Sequence, residues 1–210
     1  MRLTIPFAVL LLLAGCGGSP EPAKPAAEKA QPAKAPVPET FKVKFSTSAG
    51  DFVVEANRAW SPHGVDRFHE LLMMDYFKDG RFFRVVTKFI AQFGVNADGK
   101  LHRKWRQYFI PDDRKVQNNT RGTLSFAQNG PNSRATEIFI NLKSNKELDT
   151  TGFVPFAKVV EGMDVVDKLY SGYGDVGLQI DVEKVEDRGN EYLVPRFPKL
   201  DYINKTEILP

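Results

Sequence analysis

From Thr40 onward the sequence is written in short runs where apolar and polar residues alternate, and period two is the signature of half-buried strands rather than helices. In "FKVKFSTSAGDFVVEA", residues 41–56, the alternation continues on both sides of Ser48-Ala49-Gly50-Asp51, which predicts a hairpin with a glycine-containing turn. "FFRVVTKFIAQFG", residues 82–94, supplies two more strands with Thr87-Lys88 between them. "GTLSFAQ", "EIFINL" and "FVPFAKVV" add three, and "DYINKTEIL" closes the chain. Many short strands with few helices argue for a barrel or sandwich rather than a parallel sheet, and closing the sheet would remove its edges.

Helical spacing is confined to a few places. "SPHGVDRFHELLMMDYF", residues 61–77, has Ser61 as a cap, Pro62 at the first helical position, and Val65, Phe68 and Leu72 on one stripe; Asp79-Gly80 is the expected stop. "GMDVVDKLY" reads as a second short helix with Met163, Val166 and Leu169 or Tyr170 inward, and a third is expected around Val182 to Val194.

Ahead of this domain lie two segments of different character. Residues 1–15 carry a basic start at Arg2 and an apolar run from Ile5 to Leu13, the layout of a secretory signal, followed at once by the chain's single cysteine, Cys16. Small residues before a lone cysteine in this position resemble the lipobox of bacterial lipoproteins, which implies lipidation at Cys16. Residues 16–40 are nearly all Pro, Ala, Lys, Glu and Gln, too poor in apolar surface to offset the entropy of ordering, so a disordered tether is expected there. The folded domain is expected over residues 41–210, held without disulfides. The resulting expectation is a monomer in the cell envelope, lipid-anchored and facing the periplasm or the extracellular side. Gly17 rather than Asp after Cys16 favours the outer membrane.

A formal net charge of +3 gives no reason to expect nucleic-acid binding. The basic run Lys100 to Arg106 is read as a solvated loop, given Asp112 and Asp113 close behind. His63, His69 and His102 have no metal-ligand spacing, and no Ser-His-Asp arrangement stands in a motif context, so neither a metal nor a cofactor is expected.

Three blocks carry a family resemblance. "FFRVVTKFIAQFG", "GTLSFAQNGPNSRATEIFINL" and "ELDTTGFVPFAKVVEGMDVVDKL" resemble, in order, the signature blocks of the cyclophilins. The resemblance covers most of Thr40 to Leu169. It implies a mainly β fold, a closed antiparallel eight-stranded barrel capped by two helices, here with an extra C-terminal helical insertion. The activity it implies is peptidyl-prolyl cis-trans isomerisation of Pro-containing polypeptides, assisting the folding of exported proteins. A Pro-segment-binding chaperone module on the same fold, without turnover, is the alternative.

Matched position by position, the resemblance makes Arg84 the catalytic arginine and Gln92 the glutamine that orients it and binds peptide backbone. Phe89, Ile90, Phe139 and Leu148 match the walls of a proline pocket, and Ala127 and Gln128 fall where main chain pairs with bound peptide. Departures are also visible. The family's His before the arginine is Phe83, and its Gly after the glutamine is Phe93. Ser-Gln-Phe-Phe is Thr136-Glu137-Ile138-Phe139, and the Trp of many eukaryotic members is Glu147, which argues against strong cyclosporin binding. Where many members have a pocket histidine, Gly152-Phe153 stand, so Phe153 is expected to fill that wall. These departures are expected to remodel the rim of the groove and leave the arginine chemistry in place.

Overall fold

The structure is a computed structural model, and it describes residues 36–210. The signal segment, Cys16 and most of the expected tether lie outside the described residues.

Eight antiparallel strands form one sheet in the order β3-β4-β6-β5-β7-β2-β1-β8. The expected hairpin is β1 (Thr40–Thr47) and β2 (Gly50–Asn57), paired from Thr40↔Asn57 to Thr47↔Gly50. Strands β3 (Arg84–Val86) and β4 (Ile90–Phe93) follow, then β5 (Thr123–Phe126), β6 (Ile138–Asn141), β7 (Pro155–Glu161) and β8 (Ile203–Ile208). The sheet curls without fully closing. Its end strands, β3 and β8, form no ladder; the gap is spanned by the bridge Arg81↔Tyr202 and by hydrogen bonds such as Phe82 N to Asp201 O (2.9 Å). Chain just before each of these strands makes the closure.

Period two sorts the side chains. Phe45, Phe52, Leu124, Phe126, Ile140 and Phe156 point into the curl and are buried. Helix α1 (Pro62–Leu72) lays Val65, Phe68, Leu71 and Leu72 onto this core. It ends at Leu72 rather than running on to Asp79. Asp75 takes a left-handed conformation (φ 51°), and the redirected chain delivers Tyr76 and Phe77 into the core while Met73 and Met74 stay exposed. Ser61 occupies the N-cap position, yet its hydroxyl donates to Asp113 (2.5 Å) instead of capping. The cap comes from that distant carboxylate, which accepts from the amides of His63 and Gly64 at 3.1 Å each. Helix α3 (Met163–Asp167) seats Val166 in the core, with Leu169 just beyond it.

Two expectations change in the rest of the chain. Part of the basic run read as a solvated loop is helix α2 (Gly99–Trp105), capped by Asp98, whose side chain accepts from Lys100 N at 2.8 Å. Its His102 is buried with Nδ1 2.9 Å from the Tyr76 hydroxyl, and that burial, helped by Arg106, lowers its pKa to about 4. The third helix is two: α4 (Val182–Arg188) and α5 (Asn190–Arg196) meet at Gly189. There φ is +52° and a Cβ would lie 2.6 Å from the carbonyls of Asn96 and Ala97, so only glycine lets the chain pass the start of α2.

These additions bury a second apolar cluster outside the sheet: Phe83, Val95, Ile180, Val185, Tyr192, Leu193, Phe197 and Leu200. That cluster explains one departure. Phe83 points into it and is 1% exposed, so an aromatic stands there because a second core needs it. Phe93 lies in the first core, edge-on to Phe45 and Phe77. The expectation that these departures remodel the groove rim is corrected for Phe93, which lies wholly in the first core, whereas Phe83 is a core residue that also lines the groove.

Candidate active site

The site follows from register. Arg84 pairs with Gln92 across β3 and β4, Gln92 with Phe139 across β4 and β6, and Phe139 with Ser125 across β6 and β5. Residues directly opposite in a sheet share a face, so Arg84, Gln92 and Phe139 form one row on the face turned away from the core. Ile90 is two residues from Gln92 and shares that face. The neighbouring row, Val85, Ala91, Ile140 and Leu124, faces inward. One polar pair among apolar strands is thus an outward row, and its spacing of eight residues is set by the tight β3–β4 turn, where Lys88 takes φ 59°.

A groove of about 930 Å³ lies over this row. Arg84, Phe89, Ile90, Gln92, Ala127, Gln128, Phe139, Leu148 and Phe153 all line it, so the structure brings together every sequence-predicted residue of the folded domain. Phe139 and Phe153 meet edge to face at 5.5 Å, placing Phe153 in the wall. Phe89 is held at the groove by its backbone, whose carbonyl accepts from Leu142 N (2.9 Å) and Asn145 Nδ2 (3.0 Å). Leu148 comes from a 3-10 turn (Lys146–Thr150). Gln128 follows β5 and donates to Thr151 O at 3.2 Å.

A chain of hydrogen bonds runs along the groove floor. Arg84 Nη1 donates to Gln92 Oε1 (3.1 Å), and Gln92 Nε2 donates to Glu137 Oε2 (2.8 Å). The Arg84 guanidinium carbon lies 5.8 Å from the centre of the Phe89 ring. On its other edge Arg84 meets Asp175, with Nε to Oδ1 at 2.5 Å and Nη2 to Oδ2 at 3.3 Å. Desolvation pushes the Glu137 carboxyl up to about 7, Glu186 adding to the rise while Gln92, Arg106 and Arg84 oppose it. Near neutral pH, Glu137 is therefore partly protonated where it accepts from Gln92.

Sequence reasoning missed part of the wall. Glu137 stood out only as a departure from the family pattern, and Arg106, Phe109, Val176, Val182 and Glu186 were not singled out as site residues. Arg106 extends from α2 to Glu186 of α4 at 2.5 Å, an ion pair between segments far apart in the chain. No local spacing signals it. The acid after two glycines in "SGYGDVG" gives equally little hint that Asp175 reaches Arg84.

Comparison with known proteins identifies the family. The sequence model of the family described as "Cyclophilin type peptidyl-prolyl cis-trans isomerase/CLD" matches residues 42–187. The chain is similar to peptidyl-prolyl cis-trans isomerase B of Escherichia coli, with 31% identity over 151 residues, covering 68% of this chain and 92% of the relative. A solved cyclophilin-type isomerase of Cryptosporidium parvum superposes with a TM-score of 0.60 at 21% identity, covering 81% of this chain and 98% of that one. The same protein has been solved in the presence of the dipeptide Ala-Pro, with a TM-score of 0.58.

Proposed function

Because the chain belongs to the cyclophilin-type peptidyl-prolyl cis-trans isomerases, we propose that its groove seats a proline ring against Phe89, Phe139 and Phe153 while Arg84 donates to the prolyl nitrogen. The reaction is rotation about an X-Pro peptide bond. Amide resonance holds that bond planar behind a barrier of roughly 18–20 kcal/mol, so the uncatalysed change takes about 10–100 s at 25 °C. Twisting breaks the conjugation and returns the lone pair to nitrogen, which becomes a better acceptor. A guanidinium N–H aimed at that nitrogen therefore binds the twisted amide more tightly than the planar one, and this difference lowers the barrier.

Each part of the site has a task in this reading. Ile90, Leu148 and the three phenylalanines exclude water and hold the ring. Gln92 fixes Arg84 and offers its amide to the substrate backbone. Ala127 and Gln128 follow strand β5 at the groove edge, where an extended peptide can pair with main chain. Arginine suits the role because it stays charged and presents a fixed fork of donors. The observation that carries the reading is the placement of Arg84 directly opposite Gln92, at the edge of a groove lined with aromatic rings.

The test is a protease-coupled assay on a Pro-containing peptide with the soluble domain. Wild type is expected to exceed the uncatalysed rate and Arg84→Ala to lose most of that gain. A wild-type domain that bound peptide without accelerating its isomerisation would overturn the reading in favour of a binding module.

The setting proposed for this activity is the cell envelope, where a monomer anchored through Cys16 would assist exported proteins. Its support is the sequence Leu13-Ala14-Gly15-Cys16 after an apolar run, together with the Pro/Ala-rich stretch that follows. Cys16→Ser is expected to move the full-length protein from the membrane to the soluble fraction. Unchanged partitioning would sink the anchor.

A further inference from the structure

The guanidinium of Arg84 is gripped at two edges, and only one of the grips comes from the sheet. Gln92 takes one N–H on Nη1, whereas Asp175 takes Nε and one N–H on Nη2 in a fork-to-fork pair. A guanidinium has five N–H groups, so two remain, one on each terminal nitrogen. We propose that Asp175 is a positioning residue for the isomerase reaction, fixing the plane of Arg84 so that these two N–H groups face the bound X-Pro bond.

The loop that carries Asp175 is built to hold it still. Gly174 (φ 69°) and Gly177 (φ 83°) bracket it in turns closed by Gly174 N to Ser171 O (3.0 Å) and Gly177 N to Ile180 O (2.9 Å). Asp175 Oδ1 also accepts from Val176 N at 2.8 Å. Tyr173 and Val176 pack against the second apolar cluster, to which Ile180 belongs. Phe83, the residue before Arg84, enters the same cluster. The second core thus grips the strand that presents the arginine and the loop that orients it.

A carboxylate beside a catalytic cation could instead weaken it by neutralising its charge. Asp175 is 42% exposed, so its charge stays partly solvated in the pair. Orientation predicts a loss of activity without Asp175, and quenching predicts a gain.

The proposal rests on the isomerase reading, and its test separates the two. In the protease-coupled assay on the full-length protein, Asp175→Ala is expected to lower kcat/KM about tenfold, with the loss in kcat rather than KM. Asp175→Glu is expected to restore part of it, and Asp175→Asn, which keeps one acceptor oxygen, to fall between. In an Arg84→Ala background, Asp175→Ala is expected to cost nothing further, because its effect runs through the arginine. Unchanged or raised activity in Asp175→Ala would overturn the proposal, as would an equal loss with Arg84 already removed. An inactive wild type would instead strike the isomerase reading itself.

Discussion

Among the arginines that meet aspartates, Arg84 and Arg134 show how surroundings turn the same chemistry to different ends. Arg134 is fully buried: Nη1 donates to Ser61 Oγ (3.3 Å), and Nη2 to the Pro111 carbonyl and to Asp113 Oδ2 (3.0 Å). Burial alone would push the Asp113 carboxyl up. Ser61, the amides of His63 and Gly64, and Arg134 together hold it below its ordinary value. That cluster ties the long 106–122 connection to the start of α1. Arg84 has a similar carboxylate partner but keeps 23% of its side-chain surface exposed, toward an apolar groove. What distinguishes Arg84 is its exposure to the groove, since both arginines have an aspartate.

The contrast can be broken or sharpened by four variants, ranked by expected effect. Arg134→Met should cost about 3–5 kcal/mol of stability by urea unfolding, because Asp113 loses its buried partner, while isomerase activity per folded molecule persists. Activity lost in parallel with a retained fold would erase the distinction between the two arginines. Arg84→Ala should lower kcat/KM roughly a hundredfold or more, with the urea midpoint nearly unmoved. A large stability loss would show that Arg84 is structural too.

Phe83→His should destabilise by about 2 kcal/mol, since an imidazole would enter the second apolar cluster without a provided partner. An unchanged midpoint would mean that the cluster tolerates the residue more common in the family. Glu137→Gln has the smallest effect and the clearest pH signature. The folded pKa of Glu137, about 7, lies above its ordinary value, so its contribution is fully present below about 4.5 and is lost as pH rises through 7. Replacing it should therefore stabilise more at pH 8 than at pH 5, by on the order of 1–2 kcal/mol. His102 works in the opposite sense: its lowered pKa makes stability fall as pH drops from about 6.5 toward 4. An equal gain from Glu137→Gln at both pH values would show that burial does not perturb Glu137.

The sheet and the groove floor were legible because their signals are local. Alternation exposes strands, and a tight turn between Arg84 and Gln92 forces them opposite one another. What the sequence hid depends on partners far along the chain. Helix α2 buries little beyond Gly99 and His102, so its amphipathic signal is faint, and it leans on α4 through Arg106 and Glu186. Phe83 and Phe93 looked like groove residues because the motif surrounding them is a groove motif. Their side chains instead alternate with Arg84 and Gln92 and point into the two cores. Asp175 was invisible for the same reason of distance: it sits 91 residues from the arginine it holds.

The pairing of β1 with β8 has a consequence for how the chain comes into being. Strand β1 (Thr40–Thr47) leaves the ribosome long before Ile203–Ile208, which it takes as one of its two neighbours. One edge of the β1–β2 hairpin must therefore wait, unpaired, until β8 has been made. Such long-range pairing slows folding and leaves a strand edge open to wrong partners in the meantime. Truncation within the final strand should thus trap a sticky, nearly complete domain rather than a shortened working one.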